Sequence, residues 1–274
     1  MLSFRLPGAI FFCILLLLIT IPAISFNPIK TDGLTQKFID SASAPKAPLN
    51  TQATQFVSKY LKENGECLQG VKQKSSASFE VIDGVFNRYD LPIELRYLAV
   101  VESELNPKAV SHVGAAGPWQ LMPATAKTLG LNITRKYDER KNLKKSTNAA
   151  ALYLRDLYAQ YEDWLLVLAA YNCGPRPVNN AIRNSGSRNF WKLQYHLPAE
   201  TRAHVKKYIA THYYFEGSGG ITTLTKAENI RYAQTLSQWV SDRAKANAAS
   251  VILAENAESN VITDSISKKV AVLK

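Results

Sequence analysis

Glu102 stands in "RYLAVVESELNPKAVSHVGAAGPWQLMPATA", residues 96–126, where an apolar helical pattern is interrupted by one carboxylate. Leu91, Leu95, Leu98 and Glu102 follow the spacing i, i+4, i+7, i+11, which places all four on one face of a helix. Glu94 and Glu104 fall elsewhere on the wheel and need nothing beyond solvent. An acid on an apolar face must be paired, hydrogen-bonded or driven toward its neutral form, because an unpaired carboxylate is costly to take out of water. A carboxyl kept neutral can donate a proton to a leaving group, so general acid catalysis is one reading of Glu102. A structural Glu, paired with an Arg or capping a helix, is the other.

The following loop adds groups suited to a polar, uncharged ligand. Gly114 and Gly117 permit tight backbone that approaches closely. Gln120 is a neutral amide able to hydrogen-bond an acetamido or hydroxyl group, and Trp119 and Met122 offer flat or soft apolar surface. Farther on, "AAYNCGPRPV" puts Tyr171 and Asn172 at the end of a very apolar helix that Gly174 terminates. Each signal is weak alone, since a single Trp or Tyr is more often a packing residue than a sugar platform.

These residues need elements to hold them. Asp90 reads as an N-cap and Pro92 as a first-turn proline for a helix over 91–104. Further helices are expected over 122–129, 146–160 and 163–171, with shorter pieces at 175–184, 188–195 and 199–213 and another over 225–250. Residues 51–89 hold two helical stretches, "FVSKYL" and "FEVIDGVFNRY", separated by a polar, Gly-containing segment. Strand alternation is nearly absent, so the class is mainly α. Residues 26–50 read as an extended leader, and the tail from Glu255 is polar and weakly patterned.

Composition narrows the function. The chain has 274 residues, 46% of them hydrophobic, with 33 Lys+Arg against 22 Asp+Glu, so it suits one good-sized domain with a basic surface. Arg5, the apolar run "AIFFCILLLLI" and small residues at Ala23 and Ser25 fit a secretory signal over 1–25, or an uncleaved anchor if the run is extended. Export turns the anionic partner away from nucleic acid and toward an envelope polymer, and the basic residues form no single helical stripe. Cys67 and Cys173 remain after export, as a disulfide or as two small buried side chains. No CxxC or HExxH spacing exists and the four His are scattered, which argues against a metal site; no cofactor is called for.

Taken together, these stretches resemble the soluble lytic transglycosylase (SLT) family over about Phe79 to Gly217. "ESELNPKAVSHVGAAGPWQLMPATA" is similar to its Glu-Ser motif followed by Gly-x-x-Gly and Gln-Leu-Met-Pro-x-Thr-Ala, "STNAAALYLRDL" to its middle helix, "LAAYNCGPRPV" to Ala-Tyr-Asn-x-Gly, and "LPAETRAHVKKYIA" to its last signature. The arrangement resembles most the membrane-bound type D branch, without recognisable LysM wall-binding repeats. The resemblance implies a lysozyme-like, goose-type helical domain that cuts the β-1,4 bond between N-acetylmuramic acid and N-acetylglucosamine in peptidoglycan glycan strands and leaves a 1,6-anhydro ring. It implies Glu102 as acid and then base, and Ser103, Gln120, Met122, Tyr171 and Asn172 as cleft residues, with Trp119 and His204 beside them. Tyr171 is expected to orient the substrate's N-acetyl group or the catalytic carboxyl.

Two positions depart from the family pattern. His204 stands where the family commonly has Tyr, so His204 must take over any positioning of Glu102, with Tyr208 one turn on as a partial substitute. Cys173 fills a slot often held by Ala. Glu200 matches a family position and reads as an anchor for the last helix. The expected organisation is a leader or membrane anchor over 1–25, a partly helical extension over 26–78, the catalytic domain over 79–217, and a C-terminal helical extension with polar tail over 218–274. The nearest alternative is a hydrolytic muramidase with Asp138 or Glu139 as second carboxylate; a non-catalytic glycan-binding domain is the other. No protein partner is indicated by the sequence.

Overall fold

Helix α6 (Trp164–Cys173) is apolar on every side, and other helices of the described residues pack around it. A helix with no polar face survives only when neighbours cover it all round. In the computed structural model, which describes residues 44–248, those neighbours are α5 (Leu143–Tyr161), α7 (Pro175–Ser185) and α9 (Ala199–Glu216). Trp164 through Ala170 are all buried. Asp163 opens the helix as N-cap, accepting from the N–H groups of Leu165 and Leu166. Gly174 closes it with φ 81°, a left-handed angle that glycine takes without a Cβ clash.

The other elements complete one shell. α1 (Thr51–Lys74) packs along α9, α2 (Ser76–Phe86) along α5, and α3 (Arg96–Ser103) along α9. α4 (Pro123–Thr128) and α8 (Phe190–Leu193) are short, and a helix over 226–248, α10, follows a 3-10 turn at Ile221–Thr223. Among the described residues there are isolated β-bridges but no strand, and no helix is long and apolar enough to cross a membrane. The mainly helical class is therefore the one observed.

Three local expectations need correction. The helix expected over 91–104 begins later. Asp90 takes the left-handed conformation (φ 51°) instead of capping, a 3-10 turn covers Ile93–Leu95, and regular helix starts at Arg96. The cause is Pro92, which keeps Leu91 out of the helical region. The polar segment between the two early helical stretches is itself helix: α1 runs unbroken through Gly65 and Gly70, because Leu68 and Val71 cluster with Val100 of α3. Cys67 and Cys173 are free thiols, and Cys67 is exposed, not buried.

The described end of the leader-like segment is tied down. Ala47 is 4% exposed and its carbonyl accepts from the Tyr213 hydroxyl, while the Pro45 carbonyl accepts from Tyr232 of α10. The signal-like run, Cys13 and the tail from Glu255 lie outside the described residues.

Candidate active site

Glu102 occupies the last turn of α3, and the backbone makes it the end. Glu104 and Leu105 both adopt left-handed φ, 54° and 65°, so helix cannot continue. The upstream side chains of its stripe are sealed, with Leu95 and Leu98 at 0% exposure. The Glu102 side chain keeps 14% exposure, and its Oε1 lies 3.0 Å from Nε2 of His204, whose side chain is 9% exposed. His204 comes from α9, which packs against α3. Of the two positions expected to depart from the pattern, His204 is thus the one in contact with the Glu102 carboxyl.

Tyr208, considered as a stand-in, does not reach Glu102. Its hydroxyl donates to the Glu94 carbonyl and pairs with Thr222. Glu200 is exposed in the first turn of α9. Thr201, in the same turn, donates to Oδ1 of Asn172 at 2.8 Å and so ties the end of α6 to α9. That bond uses only the acceptor end of Asn172.

The loop over 106–122 is folded back on itself in front of α3. Gly117 N–H donates to the Ala109 carbonyl and Ala116 N–H to that of Leu121. Ser103 Oγ, next to the acid, donates to the Pro118 carbonyl at 2.9 Å. Gln120 sits at φ 45° and its amide donates to the Gly117 carbonyl at 2.8 Å. A non-glycine residue held left-handed is strained backbone, which tends to collect at functional sites. Met122 is 42% exposed at the end of this loop.

Tyr171 connects the two halves. Its hydroxyl donates to the Trp119 carbonyl at 2.7 Å, so the phenol positions the loop backbone directly. Burial, and then the charge of Glu102 beside it, push that phenol well above its usual range and keep it a donor. Trp119 itself is 0% exposed and donates its indole N–H to Thr147 of α5. An indole with no free surface cannot serve as a sugar platform, and the ring packs on Phe86 as core.

Arg140 holds the loop from behind, and sequence reasoning missed it. Its Nη1 donates to the carbonyls of Gly114 and Leu121 at 2.6 and 2.9 Å, while Asp138 pairs with the guanidinium at 2.7 Å. That hydrogen bond holds the Asp138 carboxyl below its ordinary range. The Arg140 carbonyl sits where a Cβ on Gly117 would have to be. Glu139 pairs with Lys145 and accepts from the Asn132 N–H. Both acids considered as a second carboxylate are committed to holding this wall. Arg140 and Thr201 act on backbone carbonyls and on one amide, contacts that leave no spacing signature.

Residues 86–194 match the sequence profile of the transglycosylase SLT domain. The chain is similar to the membrane-bound lytic murein transglycosylase D of Escherichia coli K12, 36% identical over 187 residues that cover 66% of this chain and 41% of the relative. It is also similar to the transglycosylase of Enterobacteria phage PRD1, 37% identical over 102 residues, covering 37% of this chain and 36% of that one. This chain thus spans less than half the length of either relative. Among solved structures, the 70 kDa soluble lytic transglycosylase of Escherichia coli aligns with TM-score 0.47 and 26% identity over 66% of this chain and 33% of that one.

Proposed function

We propose, since this chain belongs through residues 86–194 to the transglycosylase SLT family, that it is a lytic transglycosylase of peptidoglycan. The substrate is the glycan strand, and the bond cut is the β-1,4 link from N-acetylmuramic acid to N-acetylglucosamine. Glu102 gives its proton to the glycosidic oxygen as the C1–O bond breaks. The neighbouring N-acetyl group stabilises the charge left at C1. Glu102, now a carboxylate, takes the proton of the C6 hydroxyl as that oxygen closes on C1. One carboxyl serves both steps because they occur in sequence, and no water is added.

The observation that carries this reading is the single acid at the end of α3, held at 3.0 Å by His204, while Asp138 and Glu139 are engaged elsewhere. Hydrolysis with inversion needs a second carboxylate to activate water, and a double role for one acid does not. Gln120, Met122 and Asn172 line the substrate path, with Ser103 and Tyr171 shaping it from behind. The chain acts in the cell envelope, reached through residues 1–25 as signal or anchor. Its basic balance, +11 overall, favours a wall polymer bearing peptide carboxylates.

The test is mass spectrometry of products from purified sacculi incubated with the full chain and with Glu102→Gln. The wild type should release muropeptides one water lighter than hydrolytic ones, and the variant, folded and still binding glycan, should release none. Hydrated products would make it a muramidase. Binding without cleavage by the wild type would make it a glycan-binding domain.

A further inference from the structure

We propose that His204 is a positioning residue whose neutral Nε2–H tautomer grips Oε1 of Glu102 and so places the transferable proton on Oε2. The inference rests on Glu102 being the acid and goes beyond it by assigning the proton to one oxygen.

The argument starts from the far side of the ring. Nε2 of His204 lies 3.0 Å from Glu102 Oε1, and Nδ1 is buried with no hydrogen-bond partner. Three arrangements satisfy the Nε2 contact. An imidazolium facing a carboxylate would bury a charged N–H at Nδ1 with nothing to accept it, the costliest of the three. A neutral ring carrying its proton on Nδ1 would bury an orphan N–H and would draw the acid's proton onto Oε1, toward the ring. A neutral ring carrying its proton on Nε2 leaves only a lone pair unmatched. Buried orphan acceptors are tolerated more often than buried orphan N–H groups. The pocket that closes over Nδ1 therefore selects the tautomer from behind.

That tautomer has a consequence for the acid. With Oε1 accepting from Nε2–H, the carboxyl proton resides on Oε2 and the group cannot rotate freely. As Oε2 releases its proton, negative charge develops on the carboxylate, and a hydrogen bond to a charged acceptor is stronger than one to a neutral carboxyl. The contact is thus worth more in the transition state than in the ground state, which raises kcat and leaves KM nearly alone. Oε2 is then already placed to accept the second proton.

Isosteric variants separate positioning from mere filling. A Gln amide nitrogen overlays the Nε2 position of a histidine, whereas an Asn amide nitrogen overlays Nδ1. On soluble glycan strands, His204→Gln should keep kcat within about tenfold of the wild type, and His204→Asn should lose about 100-fold in kcat with little change in KM. Equal loss in two folded variants, or an Asn variant as active as the wild type, overturns the proposal. A second readout needs no glycan and no turnover. In 15N spectra of the histidine-labelled full chain, the ring signals that vanish in His204→Gln should be one pyrrole-type nitrogen, assigned to Nε2, and one pyridine-type, assigned to Nδ1. Two pyrrole-type signals, or the reverse assignment, overturn the tautomer whether or not the chain cleaves peptidoglycan.

Discussion

Adding one methyl group at Gly117 should damage this protein far more than adding one at Gly114. Both glycines are left-handed, with φ 79° and 87°, so an alanine strains the backbone equally at either place. That common cost is about 1–2 kcal/mol. The surroundings differ. A Cβ on Gly117 would lie 1.8 Å from the Arg140 carbonyl oxygen and 2.6 Å from its carbon, while a Cβ on Gly114 meets nothing within 4 Å. To restore ordinary contact at 3.4 Å, the carbonyl must retreat by about 1.6 Å. It is not free to do so, because the Arg140 guanidinium is tied to Gly114, Leu121 and Asp138. Overpacking of this kind adds about 1–3 kcal/mol. Urea unfolding should therefore place Gly117→Ala about 2 kcal/mol below Gly114→Ala. Turnover of sacculi should fall further than stability does, since Gln120 and the Trp119 carbonyl ride on the same loop. Stabilities of the two variants within about 0.5 kcal/mol of each other would refute the reasoning.

Burial pushes the Asp163 carboxyl up to about 6 from 3.8, against the N–H groups of Lys226, Leu166 and Leu165 that favour its charge. The folded state therefore holds this proton more tightly than the unfolded chain, so the contribution to stability is full below pH 3.8 and is lost as pH rises through about 6. Comparing unfolding of wild type and Asp163→Asn at pH 4 and pH 7 should show their difference moving by about 2 kcal/mol against the wild type; parallel profiles would contradict it. Trp119→Phe should lower stability by about 2 kcal/mol while leaving glycan affinity of the folded fraction unchanged, as measured by thermal unfolding and sacculus pull-down. Tyr171→Phe removes the bond to the Trp119 carbonyl and should cost about 1 kcal/mol of stability but a larger share of kcat. An unchanged kcat would disconnect that hydrogen bond from the site.

The two aromatic cases show what each level of description supplies. Trp119 and Tyr171 sit in stretches of similar character, and composition cannot say which faces a ligand. The fold buries Trp119 completely and gives its N–H to Thr147, while the Tyr171 ring stays half-buried beside Glu102 with its hydroxyl turned to the loop. The start of α3 differs from the sequence expectation for a related reason: Asp90 before Leu91-Pro92 is a good cap in isolation, and the proline's effect on its predecessor outweighs it.

Helical class and the place of Glu102 at the end of an apolar stripe were readable from the chain, because apolar periodicity and one carboxylate on an apolar face are local properties of sequence. The pairing of Glu102 with His204 was expected only through the family resemblance, since no local pattern links the two. His204 lies 102 residues from Glu102, and only the packing of α9 on α3 brings the ring to the carboxyl. The burial of its Nδ1 is likewise a tertiary fact, and Arg140 reaches the carbonyls of Gly114 and Leu121 through a loop with no periodicity of its own. Backbone carbonyls carry no side-chain signature, so what grips them is decided by the tertiary structure alone.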